Sequence, residues 1–183
     1  MTTTALVLID LQNDYFDGGA MELVGAADAV MQARALLETF RARAWPVFHV
    51  QHIAKRAGAT FFLPGTKGAD IHAAVAPAAG EAVVTKHFPS SFRETTLLED
   101  LRGAGATRLV VAGMMTHMCV DTTVRAAADL GFECLLAHDG CATRALEFSG
   151  QRVEAPQVQC AYLAALHGSF AQVRSAQAIA AGL

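Results

Sequence analysis

Short runs of β-forming, wholly apolar residues recur along this chain, and each is followed by a stretch with helical spacing. That alternation limits the fold more than any other feature. Residues 5–10, ALVLID, are apolar until the last position. A strand apolar on both faces has to be covered on both faces, which is the situation of a parallel sheet between two helix layers. Across 25–44 the apolar residues Val30, Ala33, Leu37, Phe40 and Ala44 recur near the helical period, predicting an amphipathic helix. Further strands are expected at 46–51 (PVFHVQ), 82–86 (AVVTK), 108–112, 133–137 (ECLLA) and 171–174. Helices are expected at about 117–130 and 156–167. Thr96 followed by Glu99, ahead of Leu101, has the form of a capping box and predicts a helix from Thr96 to about 103–105. The stretch 55–81 is rich in Gly and Pro and reads as loop, with a short helix near 71–75. With no linker or repeat in sight, residues 1–183 are expected to form one α/β domain with three layers, α/β/α.

Composition narrows the partners. Net charge is −3 and no basic run exists, so neither nucleic acid nor an anionic membrane is an expected partner. No stretch approaches the length of a membrane-spanning helix, and the N-terminus reads as a strand, not as a signal peptide. Cys119, Cys134, Cys141 and Cys160 show no CxxC spacing, so they are read as free thiols in a reducing cytoplasm. Hydrophobic residues are 53% of the chain and charged residues 17%, which suggests that some surface is buried in a homo-oligomer.

In open parallel sheets the site lies at the carboxyl ends of the strands. Those ends offer Asp10 after the first strand, Lys86 after the third, and the turn GMMTHMC carrying Cys119 after the fourth. A lone cysteine is more often packing than chemistry. The three together are a nucleophile set: Asp10 to take the thiol proton, Lys86 to favour the thiolate, Cys119 to attack. Thr116 as N-cap would put Cys119 in the first turn of a helix, where the dipole favours negative charge. Outward-facing amides of that turn, Met115 and Cys119, suit an oxyanion.

These pieces resemble the isochorismatase-like cysteine hydrolases, a superfamily that includes nicotinamidases, N-carbamoylsarcosine amidohydrolases and isochorismatases. The matching stretches are LVLIDLQNDY, VVTKHFPSSF, RLVVAGMMTHMCVDTTVRAAADLGF and LLAHDGCAT, in the family's order. The resemblance implies a six-stranded parallel sheet of order 3-2-1-4-5-6, a catalytic triad of Asp10, Lys86 and Cys119, and a cis peptide between Met114 and Met115 that turns the Met115 amide toward the oxyanion. It implies hydrolysis of an amide-type C–N bond in a small molecule through a Cys119 thioester. Dimers or tetramers are also implied, with the 144–155 loop reaching a neighbour's site.

Phe16, His49, His87, Phe92, His117 and Phe148 are the expected substrate-pocket residues. The loop phenylalanines, Phe61, Phe62 and Phe88 among them, can equally pack subunit against subunit. The metal-binding Asp-x-His of many nicotinamidases is missing from HVQHIAKRAG, and His49 and His52, three apart on a strand, face opposite sides. No metal and no cofactor is therefore expected. Two other readings stay open. One is a vinyl-ether hydrolase of the isochorismatase type, with Cys119 a bystander. The other is a catalytically idle family member that serves as a binding or scaffold protein.

Overall fold

The computed structural model describes residues 3–183. The first strand, β1 (Thr3–Ile9), is buried along nearly its whole length. Helix α1 (Ala26–Ala42) follows, then β2 (Val47–His52) and β3 (Ala82–Lys86). Helix α2 (Leu97–Gly103) leads to β4 (Ala106–Met114), and α3 (Asp121–Asp129) to β5 (Glu133–Ala142). A two-stranded antiparallel ribbon, β6 (Leu146–Phe148) and β7 (Gln151–Val153), precedes α4 (Ala155–Leu166), β8 (Gln172–Arg174) and α5 (Ala176–Ala181).

The main sheet has six strands in the order β3-β2-β1-β4-β5-β8, all parallel. Counting only these strands, that is 3-2-1-4-5-6. The apolar run of β1 explains its central place, because both of its faces are covered. Leu6 and Leu8 turn toward α1 and α5, where Leu36, Leu37, Phe40 and Ile179 pack. Ala5, Val7 and Ile9 turn the other way, toward Leu97, Leu101, Val124 and Leu166 of α2, α3 and α4. Alternate residues thus feed two separate cores.

Three local features depart from the sequence reading. Thr96 does not cap the backbone of α2; its hydroxyl instead donates to Asp100 at 2.6 Å. Thr116 does not cap a helix either. Residues Thr116–Val120 form a wide π-type turn, and the Thr116 hydroxyl donates to the Ala142 carbonyl. The ribbon at 146–153 and helix α5 have too little periodicity to be seen in the sequence. The carboxylate of Asp139, past the irregular middle of β5, accepts the Ala176 amide at 2.8 Å and ties α5 to the sheet. Among the described residues no helix is long and apolar enough to cross a membrane.

Candidate active site

β1 and β4 are neighbours, and both lead into the site. Their close approach depends on Gly113: a Cβ there would stand 2.1 Å from the Ile9 carbonyl oxygen. One residue later the Met114–Met115 peptide is cis, and the π-type turn carries Cys119. Such turns are concentrated at functional positions. On β1, Asp10 leaves the strand at φ 51°, in the left-handed region that a short polar side chain tolerates best.

These exits bring three sequence-distant side chains together. Asp10 and Lys86 are fully buried, and Cys119 is 5% exposed. Lys86 Nζ stands 2.7 Å from Asp10 Oδ2 and 3.3 Å from Cys119 Sγ. The Asp10 contact is an ion pair; neither carboxylate oxygen has a hydrogen bond of good angle, and Oδ1 faces no donor. Burial would pull the Lys86 pKa down, but the Asp10 carboxylate, joined by Cys119 once its sulfur ionises, outweighs it and holds the group above its ordinary value. The thiol moves the other way from the sequence expectation. Burial pushes it up, Asp10 pushes it further, and Lys86 offsets only part of this, so Cys119 rests as a neutral thiol.

A fourth residue belongs here: His52, read from the sequence as a satisfied core or pocket histidine and not placed among the catalytic residues. His52 ends β2, and its Nδ1 is 3.0 Å from Lys86 Nζ. The reading ended that strand at 51, one residue short of the carboxyl end where the site rule applies. Burial, then Lys86, lowers the His52 pKa to about 4. Asp10, His52 and Cys119 each place a donor atom within 4.8 Å of the others, a set that could hold a metal ion. Lys86 Nζ occupies the space between them, so an entering ion would have to displace an ammonium.

An aromatic wall stands beside His52. Phe62 lies 5.9 Å from the His52 ring and 4.6 Å from Tyr15, with Phe61 4.9 Å beyond. Asp14 fixes this loop by accepting the Phe62 amide at 2.6 Å. Tyr15 is itself buried, and burial, then Cys119 and Asp10, raises its pKa.

The expected pocket residues divide. His87 sits at the rim, its Nδ1 2.7 Å from the Ile53 carbonyl. His117 is buried two residues before Cys119, with Nδ1 2.5 Å from Thr143 Oγ1 and Nε2 unpartnered. The other four lie elsewhere. His49, at 1% exposure, points to the opposite end of the sheet, where Nε2 meets Glu81 at 2.8 Å. Phe92 stacks on Phe132 in the α2–α3 core. Phe16 stacks on His72 and lines an outer groove with Asp17. Phe148 is 84% exposed near the tip of the ribbon. Loop position alone did not tell a pocket wall from a core plug or a surface knob.

Sheet order and site together define an α/β protein with an acid, an ammonium and a thiol at the carboxyl ends of its central strands. The family model described as Isochorismatase domain matches residues 4–173, and the chain belongs to the isochorismatase family of hydrolases. It is similar to YddQ of Bacillus subtilis, an isochorismatase family protein, at 46% identity over 96% of this chain and 98% of that one. A crystal structure from Oleispira antarctica in the isochorismatase hydrolase group superposes with a TM-score of 0.95 at 50% identity, covering 99% of this chain and 97% of the other. The N-carbamoylsarcosine amidase of Thermoplasma acidophilum gives a TM-score of 0.81 at 25% identity, covering 96% and 97%.

Proposed function

We propose that the chain is a cysteine hydrolase that cleaves an amide-type C–N bond of a small molecule through a thioester on Cys119. The observation that carries this reading is the placing of Lys86 Nζ between Asp10 and Cys119 in a buried site. A resting thiol with a raised pKa needs a base at the moment of attack. Cys119 Sγ bonds to the carbonyl carbon as its proton passes to Asp10, and the oxygen takes the negative charge. The amides of Met115 and Cys119 receive that oxyanion. Asp10 then gives the proton to the nitrogen, the C–N bond breaks, and ammonia or an amine leaves. Water adds to the thioester with Asp10 taking its proton; the C–S bond breaks and the proton returns to sulfur. Lys86 stays protonated throughout and balances the charge shared by carboxylate and sulfur. The amidase activity named for the Thermoplasma relative supports a C–N target.

Association of identical copies is part of the reading. Helix α4 carries no charged residue and leaves Cys160, Ala161, Ala164 and Ala165 exposed beside Phe148 and Val153. An exposed apolar patch of this kind is ordinarily covered. The test of the chemistry is ammonia release from a panel of small primary amides, with Cys119→Ala as control. Turnover that survives in a folded Cys119→Ala variant refutes it.

A further inference from the structure

Three hydrogen-bond acceptors and one carboxylate, held as an ion pair, surround the Lys86 ammonium. Asp10 Oδ2 lies at 2.7 Å, His52 Nδ1 at 3.0 Å, the Phe88 carbonyl at 3.1 Å and Cys119 Sγ at 3.3 Å. The proposed chemistry uses Asp10 and Cys119 and gives His52 no task. With Lys86 protonated, His52 Nδ1 can only accept, so the ring is neutral and carries its proton on Nε2.

We propose that His52 is a positioning residue that acts through Lys86, holding the ammonium within reach of the Cys119 sulfur. Of these four groups only Asp10 bears a full charge in the resting site. Left to that attraction, Nζ would close on the carboxylate and draw away from sulfur. His52 and the Phe88 carbonyl pull against it. The ammonium then already stands where negative charge appears on Cys119, and no reorganisation is needed during attack.

The backbone that carries the imidazole is held by a buried side chain. Gln12 Oε1 accepts the His52 amide at 2.7 Å, and Gln12 Nε2 donates to the His52 carbonyl at 2.8 Å and to Ala69 at 2.7 Å. One glutamine thus supplies both backbone partners that an adjacent strand would give. The Gln of the LQNDY stretch acquires a purpose: it fixes the backbone of the last residue of β2, from which the His52 ring reaches Lys86. The Phe62 ring closes the other side.

This inference rests on Cys119 being the nucleophile, and its test needs no substrate. Iodoacetamide alkylation of Cys119 is followed by peptide mass spectrometry from pH 6 to 10. The parent is Cys160→Ser, which removes the exposed thiol; Cys134 and Cys141 are buried. His52→Leu is expected to slow alkylation at neutral pH by at least about tenfold and to move the profile to higher pH, the scale of one lost hydrogen bond to a charged group. His52→Asn, whose Oδ1 falls near the place of Nδ1, is expected to keep the rate within about threefold, while His52→Gln is not. The Asn–Gln comparison stands even if the leucine variant fails to fold. Equal rates for Asn and Gln, or a folded His52→Leu with the parent's profile, overturn the proposal. If Lys86→Met slows alkylation while the His52 variants do not, only the role of His52 falls. If Cys119 of the parent is unreactive, or indifferent to Lys86→Met, the hydrolase reading falls with it.

Discussion

Asp10→Asn tests the ion pair at the centre of the site. In the variant Lys86 keeps its charge at 0% exposure and faces only neutral acceptors: His52, the Phe88 carbonyl and the Cys119 thiol. Removing one member of a buried pair costs about 3–5 kcal/mol, because the survivor is left uncompensated. That is a large part of the roughly 5–15 kcal/mol that keeps a domain folded. Lys86→Met strands the buried carboxylate and is expected to cost a similar amount. The double variant Asp10→Asn/Lys86→Met removes both charges, so it is expected to be more stable than the sum of the singles by about 2 kcal/mol or more. Urea unfolding followed by circular dichroism at pH 7 measures all three. The pH dependence adds a sign. In the parent the Lys86 pKa lies above 10.5, so its contribution is complete below that value and is lost as pH rises through the higher folded one. Without the Asp10 charge, burial dominates and the folded pKa drops below 10.5. The unfolded chain then binds more protons over that interval, and the stability of Asp10→Asn rises with pH as the parent's does not. Strictly additive singles, or parallel pH curves, would refute the ion-pair argument.

Two further tests address the frame that holds the site. Glu81 is held down to about 2 by its hydrogen bonds from Arg41, against a smaller burial effect that raises it, with the Ala78 amide and His49 adding support. Its contribution is present above the unfolded value of 4.5 and is lost as pH falls toward 2, so Glu81→Gln is expected to flatten acid unfolding in that window. An unchanged acid limb counts against it. Gly113→Ala is expected to destabilise the fold by at least about 1–3 kcal/mol, since its Cβ has no room beside Ile9; a wild-type melting temperature would contradict the close approach of β1 and β4.

Much of this was legible in the sequence, for a physical reason. A parallel strand covered on both faces has to be continuously apolar, and residues 5–9 could be little else; the polar residue that ends such a run falls at the carboxyl end of the sheet, which is how Asp10 stands out, whereas Lys86, after a less apolar strand, leans on the family resemblance. What stayed hidden depends on three-dimensional neighbours. His52 is one residue past the reading's end of β2, and strand ends are set by pairing that a single chain does not display. His49 looked the same by residue type, yet its side chain answers to Glu81 at the far edge. The raised thiol pKa follows from enclosure, and Cys119 is enclosed in a cluster with residues distant in the chain, such as Val50, Val84 and Leu97. The phenylalanines could not be sorted because the same apolar loop residue serves as plug, wall or knob according to what folds over it.

β1 holds the middle of the sheet, and its two partners arrive at very different times. Leu6 pairs with Val47 on one side and with Val110 on the other. The first pairing closes a loop of roughly forty residues and the second one of roughly a hundred, so the second carries the larger entropic penalty. A chain emerging from the ribosome can dock β2 early, but the thiol's own turn is delivered only once β4 zips onto the opposite flank. The 116–120 turn thus hangs on the pairing of β1 that closes the longer loop.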